Sequence, residues 1–470
     1  MESVGLGVLS LVSWIEGPAL MPTNTIVTGP VAGGRRGWPF SLPLTHLASV
    51  GYVAEEFFLD GTAAAYDAEP GAELTVDGKW RVRPSRIAPF RTRVLVVRPV
   101  DRARFNGIVH VNWQNVTAGF ELGIADAESE QLLDGFAWVG VSAQRVGVHG
   151  FPGSEQFALR GWDPKRYGTL DHPGDDFSFD IYTQATRSIG PEILGGAGPR
   201  KLVATGASQS AMRLRTYANA IQPRERLFDG FLLLLDFGRG ALPDTRDIDT
   251  ATLPAMTVPV RIRDDLGVPA LVFNSETEAP WLFPVRQPDT DTFRLWEVAG
   301  TSHRSGAANQ KALAPLFARD GIMRAPGREN PNVLSYTPAY RAALHHMNTW
   351  LEGGPPPPPQ ARIEFESADP PTIRRDQYGN ALGGIRLPDF AVPTGEHRGN
   401  VGGDLHESLP GYSRPFTDAE LHELYPNPEA YLDQWQAALD RGVADGFILP
   451  EDAPAMKAVA DKTATAMFPK

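Results

Sequence analysis

Residues 201–214 read KLVATGASQSAMRL, and the change of pattern inside this stretch decides the fold. Leu202-Val203-Ala204 is a β-type run that drives into Gly206-Ala207-Ser208-Gln209-Ser210, and a helical pattern emerges on the far side. A strand that turns sharply into a helix around a serine is a nucleophile elbow. Its serine takes a strained backbone conformation, and the residues two before and two after must be small because their backbones nearly touch. Gly206 and Ser210 meet that demand, with serine at 210 where glycine is commoner. Ser208 is therefore the candidate nucleophile, although a glycine-serine turn between strand and helix also occurs without chemistry.

Working outward, strand patterns upstream fall at 52–59, 80–82 and 92–98, with Pro84 and Pro89 marking edge strands or loops. Asn106-Gly107 is a turn signal, and Ile108-Val109-His110-Val111 after it reads as a buried strand. Residues 120–133 look helical, 136–142 (FAWVGVS) form another buried strand, and 179–189 a helix. Downstream, 228–235 (FDGFLLLL), 269–274 (PALVFN) and 293–298 (FRLWEV) are strands, and 338–351 is the last core helix. Strands alternating with helices predict an α/β chain with a mostly parallel sheet flanked by helices.

The expected organisation is an irregular segment over 1–40, a core over 41–354, a polyproline spacer at 355–359 and a C-terminal extension over 360–470 packed on the core. The long connections 143–177 and 236–268 read as cap-like insertions that govern specificity. A capping box at Thr417 and Glu420 starts a helix in the extension.

Composition narrows the function. The 44 basic and 56 acidic side chains leave a formal net charge of −12, which argues against nucleic acid or an anionic membrane as the main partner. The absence of cysteine excludes thiol catalysis, cysteine zinc sites and disulfides. The apolar patch over 4–15 is flanked by Glu2 and Glu16 rather than a basic region, a poor export signal. No stretch approaches the roughly 20 apolar residues of a membrane span. A cytoplasmic protein acting on a small molecule, without metal or other cofactor, is the expectation; oligomeric state is left open.

A serine hydroxyl needs a general base, and the base needs an acid to fix its tautomer. In the α/β-hydrolase arrangement these follow in the order serine, acid, histidine, on loops at the C-terminal ends of strands. His303, one short loop beyond the strand at 293–298, stands where the base belongs. His345 and His346 on the late helix read as helix-surface or packing residues, and His149, in His149-Gly150-Phe151-Pro152-Gly153, as an oxyanion-loop mimic after the wrong strand. The acid lies in Ser275-Glu276-Thr277-Glu278: Glu278 is preferred, Glu276 is runner-up, and Asp236 after the preceding strand is third. For the oxyanion, the backbone N–H of Gln209 at a helix N-terminus is one donor, and Gln114 or Asn115 supplies the other, Asn115 being preferred. Each of these carboxylates and amides could equally be an ordinary loop residue.

GASQSAMRLRTYANAI, VNWQNVTAG, FAWVGVSAQRVGV, WEVAGTSH and QYGNALGGIRLP together resemble a poorly characterised bacterial branch of the α/β hydrolases, over residues 51–452. The resemblance implies an α/β-hydrolase fold with the extension as part of it, and a triad of Ser208, His303 and an acid of the 275–278 turn. The chain departs from that family's pattern at Asn112-Trp113-Gln114-Asn115-Val116, in place of Glu-Trp-Leu-Asn-Val, and at Glu276-Thr277-Glu278, in place of Glu-Thr-Asp. The functional expectation is a serine-dependent carboxylic ester hydrolase, an esterase or lactonase working through an acyl-enzyme. An acyltransferase with the same triad and a non-catalytic binding protein are the alternatives. Trp113, Phe120, Phe151, Trp162, Trp281 and Phe283 are candidates for an apolar pocket or for core.

Overall fold

The computed structural model describes residues 25–42, 47–122, 135–245, 256–304, 306–322, 329–403 and 408–467. The helix expected over 120–133 lies mostly outside them; within them, Leu122 bridges back to Asn115 instead of opening a helix. The centre is a nine-stranded sheet in the order β1-β2-β3-β5-β4-β6-β7-β10-β11. Its strands are β1 (Ile26–Thr28), β2 (Tyr52–Ala68), β3 (Val82–Pro99), β4 (Ile108–Trp113), β5 (Ala137–Val141), β6 (Lys201–Ala207), β7 (Gly230–Leu234), β10 (Ala270–Ser275) and β11 (Phe293–Val298). The first three pair antiparallel, and all pairings from β5 across to β11 are parallel. β8 (Arg239–Ala241) and β9 (Thr257–Pro259) form a separate ribbon within the expected insertion after β7.

The parallel strands read as continuous apolar runs because both faces of the sheet are covered. Val109, Val111 and Trp113 of β4 enter one core, with helix α1 (Ser178–Arg187) and helix α2 (Gln209–Thr216). Ile108, Val203, Leu232, Leu271 and Phe273 face the other, with α3 (Thr337–Leu351), α4 (Pro428–Ala444) and α5 (Ala453–Met467). The result is an α/β/α sandwich of the hydrolase type.

β2 and β3 run on well past the strands expected, pairing from Tyr52↔Pro99 to Ala68↔Val82. Pro84 and Pro89 lie inside β3, but only Val94–Val97 of that strand pair with β5, so both prolines sit where β3 is an outer strand and no ladder donor is needed. The segment expected to be irregular near the N-terminus contributes β1, which pairs with Phe58–Asp60 of β2.

The far edge is β11, and the chain beyond α3 closes it. Pro357 and Pro358 accept hydrogen bonds from Arg294 Nε and Trp296 Nε1 at 2.8 and 2.9 Å. Ile385 adds a parallel bridge, its N–H donating to Glu297 O at 2.7 Å while its carbonyl accepts from Ala299 N at 3.0 Å. Covering an edge removes a row of unpaired backbone groups. The capping box at Thr417 and Glu420 is formed, at the start of helix Asp418–Leu424.

Candidate active site

Ser208 stands between β6 and α2 with φ 62° and ψ −121°, a conformation that L residues hold only under constraint, at a cost of about 1–3 kcal/mol. Its surroundings supply the constraint. The Ser208 N–H donates to Leu234 O at 2.9 Å and its carbonyl accepts from Met212 N at 3.2 Å. Asn115 Nδ2 donates to the Ala207 carbonyl at 2.9 Å. A Cβ on Gly206 would lie 3.0 Å from Leu214 Cδ1 and 3.1 Å from Ser210 Cβ, so any side chain at 206 would force the first turns of α2 to give way. Gln209 is the first residue of α2, where N–H groups have no intrahelical acceptor and the helix dipole favours negative charge.

Glu278 and His303 are brought together. Glu278 Oε1 lies 2.7 Å from His303 Nδ1, and Oε2 accepts from the N–H and Oγ of Ser275 at 2.9 and 2.6 Å. The Glu278 carboxylate is fully buried, so these bonds fix both oxygens. The His303 N–H donates to Thr277 Oγ1 at 2.9 Å, tying the histidine loop to the acid turn a second time. With Nδ1 donating to Glu278, Nε2 carries the free lone pair.

Phe237 covers one face of the imidazole, with ring centroids 5.4 Å apart and planes at 28°. It gets there through a sharp bend: Leu235 has φ 51°, and Asp236 and Phe237 then diverge. Asp236 is buried against Arg215 of α2, accepting from Nε at 3.0 Å and also from Nη2. Asn274 of β10 embraces its peptide, accepting from Asp236 N at 2.7 Å and donating to Asp236 O at 2.9 Å. Arg215 and Asp236 thus brace the helix behind Ser208 to the strand that carries Glu278. The contacts of Phe237 with His303 and of Arg215 with Asp236 were not legible in the sequence; the only signal was the Asp236-Phe237 pair directly after a strand.

Glu276 is placed elsewhere. Its Oε1 pairs with Arg375 Nη2 at 2.8 Å and accepts from Gly399 N at 3.2 Å, and its Oε2 accepts from Gly300 N at 2.8 Å. Neither Glu276 nor Asp236 reaches the imidazole, because each is saturated by its own arginine and backbone donors. The amide side chain of Asn115 is likewise committed, since Oδ1 accepts from Thr117 N at 3.0 Å while Nδ2 holds Ala207 O. The Gln114 N–H donates to Val141 O at 3.3 Å.

His149 and His346 have structural partners. His149 Nε2 accepts from His172 N at 3.0 Å, and burial together with Arg145 and Arg160 pushes its pKa down to about 4. His346 Nε2 lies 2.8 Å from Gly446 O. Trp113, Trp162 and Phe120 are buried in core, whereas Trp281 is 38% exposed and meets Phe237 edge-on at 6.4 Å. Among the described residues, no helix is long and apolar enough to cross a membrane, and no group of three histidine or carboxylate side chains is arranged to hold a metal ion.

The relevant strands are β6, β7, β10 and β11, neighbours in that order. Ser208, Phe237, Glu278 and His303 each follow the C-terminal end of one of them, the edge where parallel α/β sheets collect ligands. The arrangement offers a backbone-constrained hydroxyl, an imidazole of fixed tautomer and a helix N-terminus along one edge.

Solved structures similar to the chain include esterase Est22, at 11% identity over 65% of this chain and 81% of that one, with a TM-score of 0.30. A putative dienelactone hydrolase from Klebsiella pneumoniae subsp. pneumoniae aligns at 11% identity over 50% of this chain and 94% of that one, TM-score 0.30. A glucuronoyl esterase from Solibacter usitatus aligns at 11% identity over 65% and 88%, TM-score 0.30. No curated protein matches the chain. The family model described as alpha/beta hydrolase domain matches residues 27–458, from β1 into the last helix. With its elements in the order that fold requires and the match spanning sheet, insertions and extension alike, the chain belongs to the alpha/beta hydrolase domain family.

Proposed function

We propose that the chain is a serine hydrolase of carboxylic esters, lactones included, with Ser208 as nucleophile, His303 as general base and Glu278 as the orienting acid. The observation that carries this is the 2.7 Å contact between Glu278 and His303 Nδ1, which leaves Nε2 as the basic nitrogen. His303 Nε2 takes the Ser208 proton as Oγ attacks the ester carbonyl carbon. The carbonyl π electrons move to oxygen, and the oxyanion is met by the Gln209 N–H and, on the β4 loop, by the Asn115 N–H, since the Asn115 side chain is occupied. Collapse re-forms the carbonyl and breaks the ester C–O bond, with His303 returning the proton to the departing alcohol. A water, deprotonated by His303, attacks the acyl-serine, and Ser208 leaves reprotonated with the carboxylic acid as product.

Glu278 is one methylene longer than aspartate, and its turn is fixed by the Ser275 and Thr277 contacts, so the added reach is absorbed without loosening the imidazole. The test is hydrolysis of p-nitrophenyl butyrate and labelling by a fluorophosphonate probe. Wild-type protein hydrolyses the ester and labels; Ser208→Ala does neither. A Ser208→Ala protein that cleaves at the wild-type rate overturns the assignment.

A further inference from the structure

We propose that Trp281 is the specificity residue for the alcohol half of the substrate, and that the preferred alcohol is aromatic. The inference rests on the ester-hydrolase reading, because that reading fixes which half of the substrate lies beside His303. The leaving oxygen must come within hydrogen-bonding reach of the imidazole that protonates it. The alcohol therefore passes along whatever wall adjoins the histidine, whereas the acyl chain extends from the serine.

That wall is aromatic. Phe237 lies against the His303 ring at 28° and is only 2% exposed, so it serves as backing rather than contact surface. Trp281 stands edge-on to Phe237, with planes at 88°, and carries the wall out to solvent. Among the described residues it is the one aromatic in the set of exposed large apolar side chains, the others being isoleucines and valines. Trp281 borders the ring that stacks on His303, and an exposed indole there offers a large, rigid apolar face. Trp281 also sits in helix Ala279–Leu282, which starts directly after Glu278. The turn that fixes the acid therefore fixes the indole. An aryl leaving group stacks on it; a short alkyl group has too little area to gain from it.

The experiment compares kcat/KM for 2-naphthyl acetate, ethyl acetate and ethyl benzoate in wild type, Trp281→Ala and Trp281→Phe. Comparing the ratio of two esters between wild type and variant cancels the intrinsic reactivity of each ester. Trp281→Ala lowers the naphthyl-to-ethyl acetate ratio about tenfold, mainly through KM, and Trp281→Phe restores most of it. A ratio unchanged within twofold overturns the proposal. So does an equal loss toward ethyl benzoate, which would place the indole on the acyl side. Calorimetric titration with 2-naphthol separates this from the catalytic reading: wild type binds it at least fivefold more tightly than Trp281→Ala, whether or not any ester is cleaved, and equal affinities overturn the proposal.

Discussion

Glu276 and Glu278 stand two residues apart on one turn and bind opposite parts of the molecule: Glu278 holds His303, and Glu276 holds Arg375 of the C-terminal extension. The two glutamines that keep their shapes should therefore fail differently. Glu278→Gln leaves the fold intact and lowers kcat by about 10³-fold or more, because an amide no longer enforces the reactive tautomer. Glu276→Gln weakens a buried ion pair and costs about 3 kcal/mol of stability, with a smaller loss in kcat. Steady-state kinetics alongside urea denaturation reads both; equal kinetic losses would show that the two carboxylates are not divided in this way.

Asp236 supplies a second contrast. Asp236→Asn strands Arg215, which is 1% exposed, and the expected cost is about 3–5 kcal/mol. The surviving folded protein keeps more activity than Glu278→Gln. A loss of kcat as deep as that of Glu278→Gln, at unchanged stability, would make Asp236 a member of the proton relay instead of a brace.

Asn115→Ala removes the donor to the Ala207 carbonyl. We expect about 1–2 kcal/mol of destabilisation from the lost bond, and a fall in kcat of about tenfold as the backbone next to Ser208 relaxes. An Asn115→Ala protein of native stability and full activity would show that the junction is held without this amide.

Gly399→Ala should act on the site from a distance. A Cβ there would lie 1.9 Å from the Thr301 carbonyl oxygen and 2.6 Å from Glu276 Cβ, so either the histidine loop or the acid turn must give way. The expected outcome is a lower kcat with little change in KM for a small ester, checked by kinetics on folded protein.

Acid should destabilise the fold through buried histidines, His110 and His397 among them. Burial pushes His110 and His397 from 6.5 down to about 4. Between those values the unfolded chain binds more protons than the folded one, so stability is full above pH about 6.5, declines as pH falls toward about 4, and levels off with respect to these groups below that. His110→Gln should flatten the slope of unfolding free energy against pH across this window; an unchanged slope in both His110→Gln and His397→Gln would assign acid sensitivity to other groups, His149 and His172 among them.

The elements most legible in the sequence are those buried on both sides. The run expected at 293–298 is β11 itself, and 269–274 is β10 shifted by one residue, because a strand covered on both faces is mostly apolar, with Arg294, Glu297 and Asn274 admitted by hydrogen bonds to Pro357, Arg286 and Asp236. The outer halves of β2 and β3 were missed for the complementary reason: Gly61, Pro84 and Pro89 interrupt the pattern, and an outer strand tolerates them. The places of Ser208 and His303 beyond strand ends were legible because they are local information. The choice between Glu278 and Glu276 turns on Arg375, 99 residues downstream, and no local pattern carries that pairing. Phe237 was invisible for a similar reason, since its approach to His303 depends on a positive φ at Leu235, a residue type that gives no warning of one.

The clasp between Glu276 and Arg375 also sets an order of events during synthesis. A ribosome delivers the chain from its N-terminus at roughly 5–20 residues per second, so Ser208, Glu278 and His303 all emerge before Arg375, Gly399 and the segment that seals β11. A nascent chain that already holds Ser208, Glu278 and His303 still has Glu276 without its cation and the edge strand bare. The packing around the 276–278 turn is therefore completed late, with the final quarter of the polypeptide.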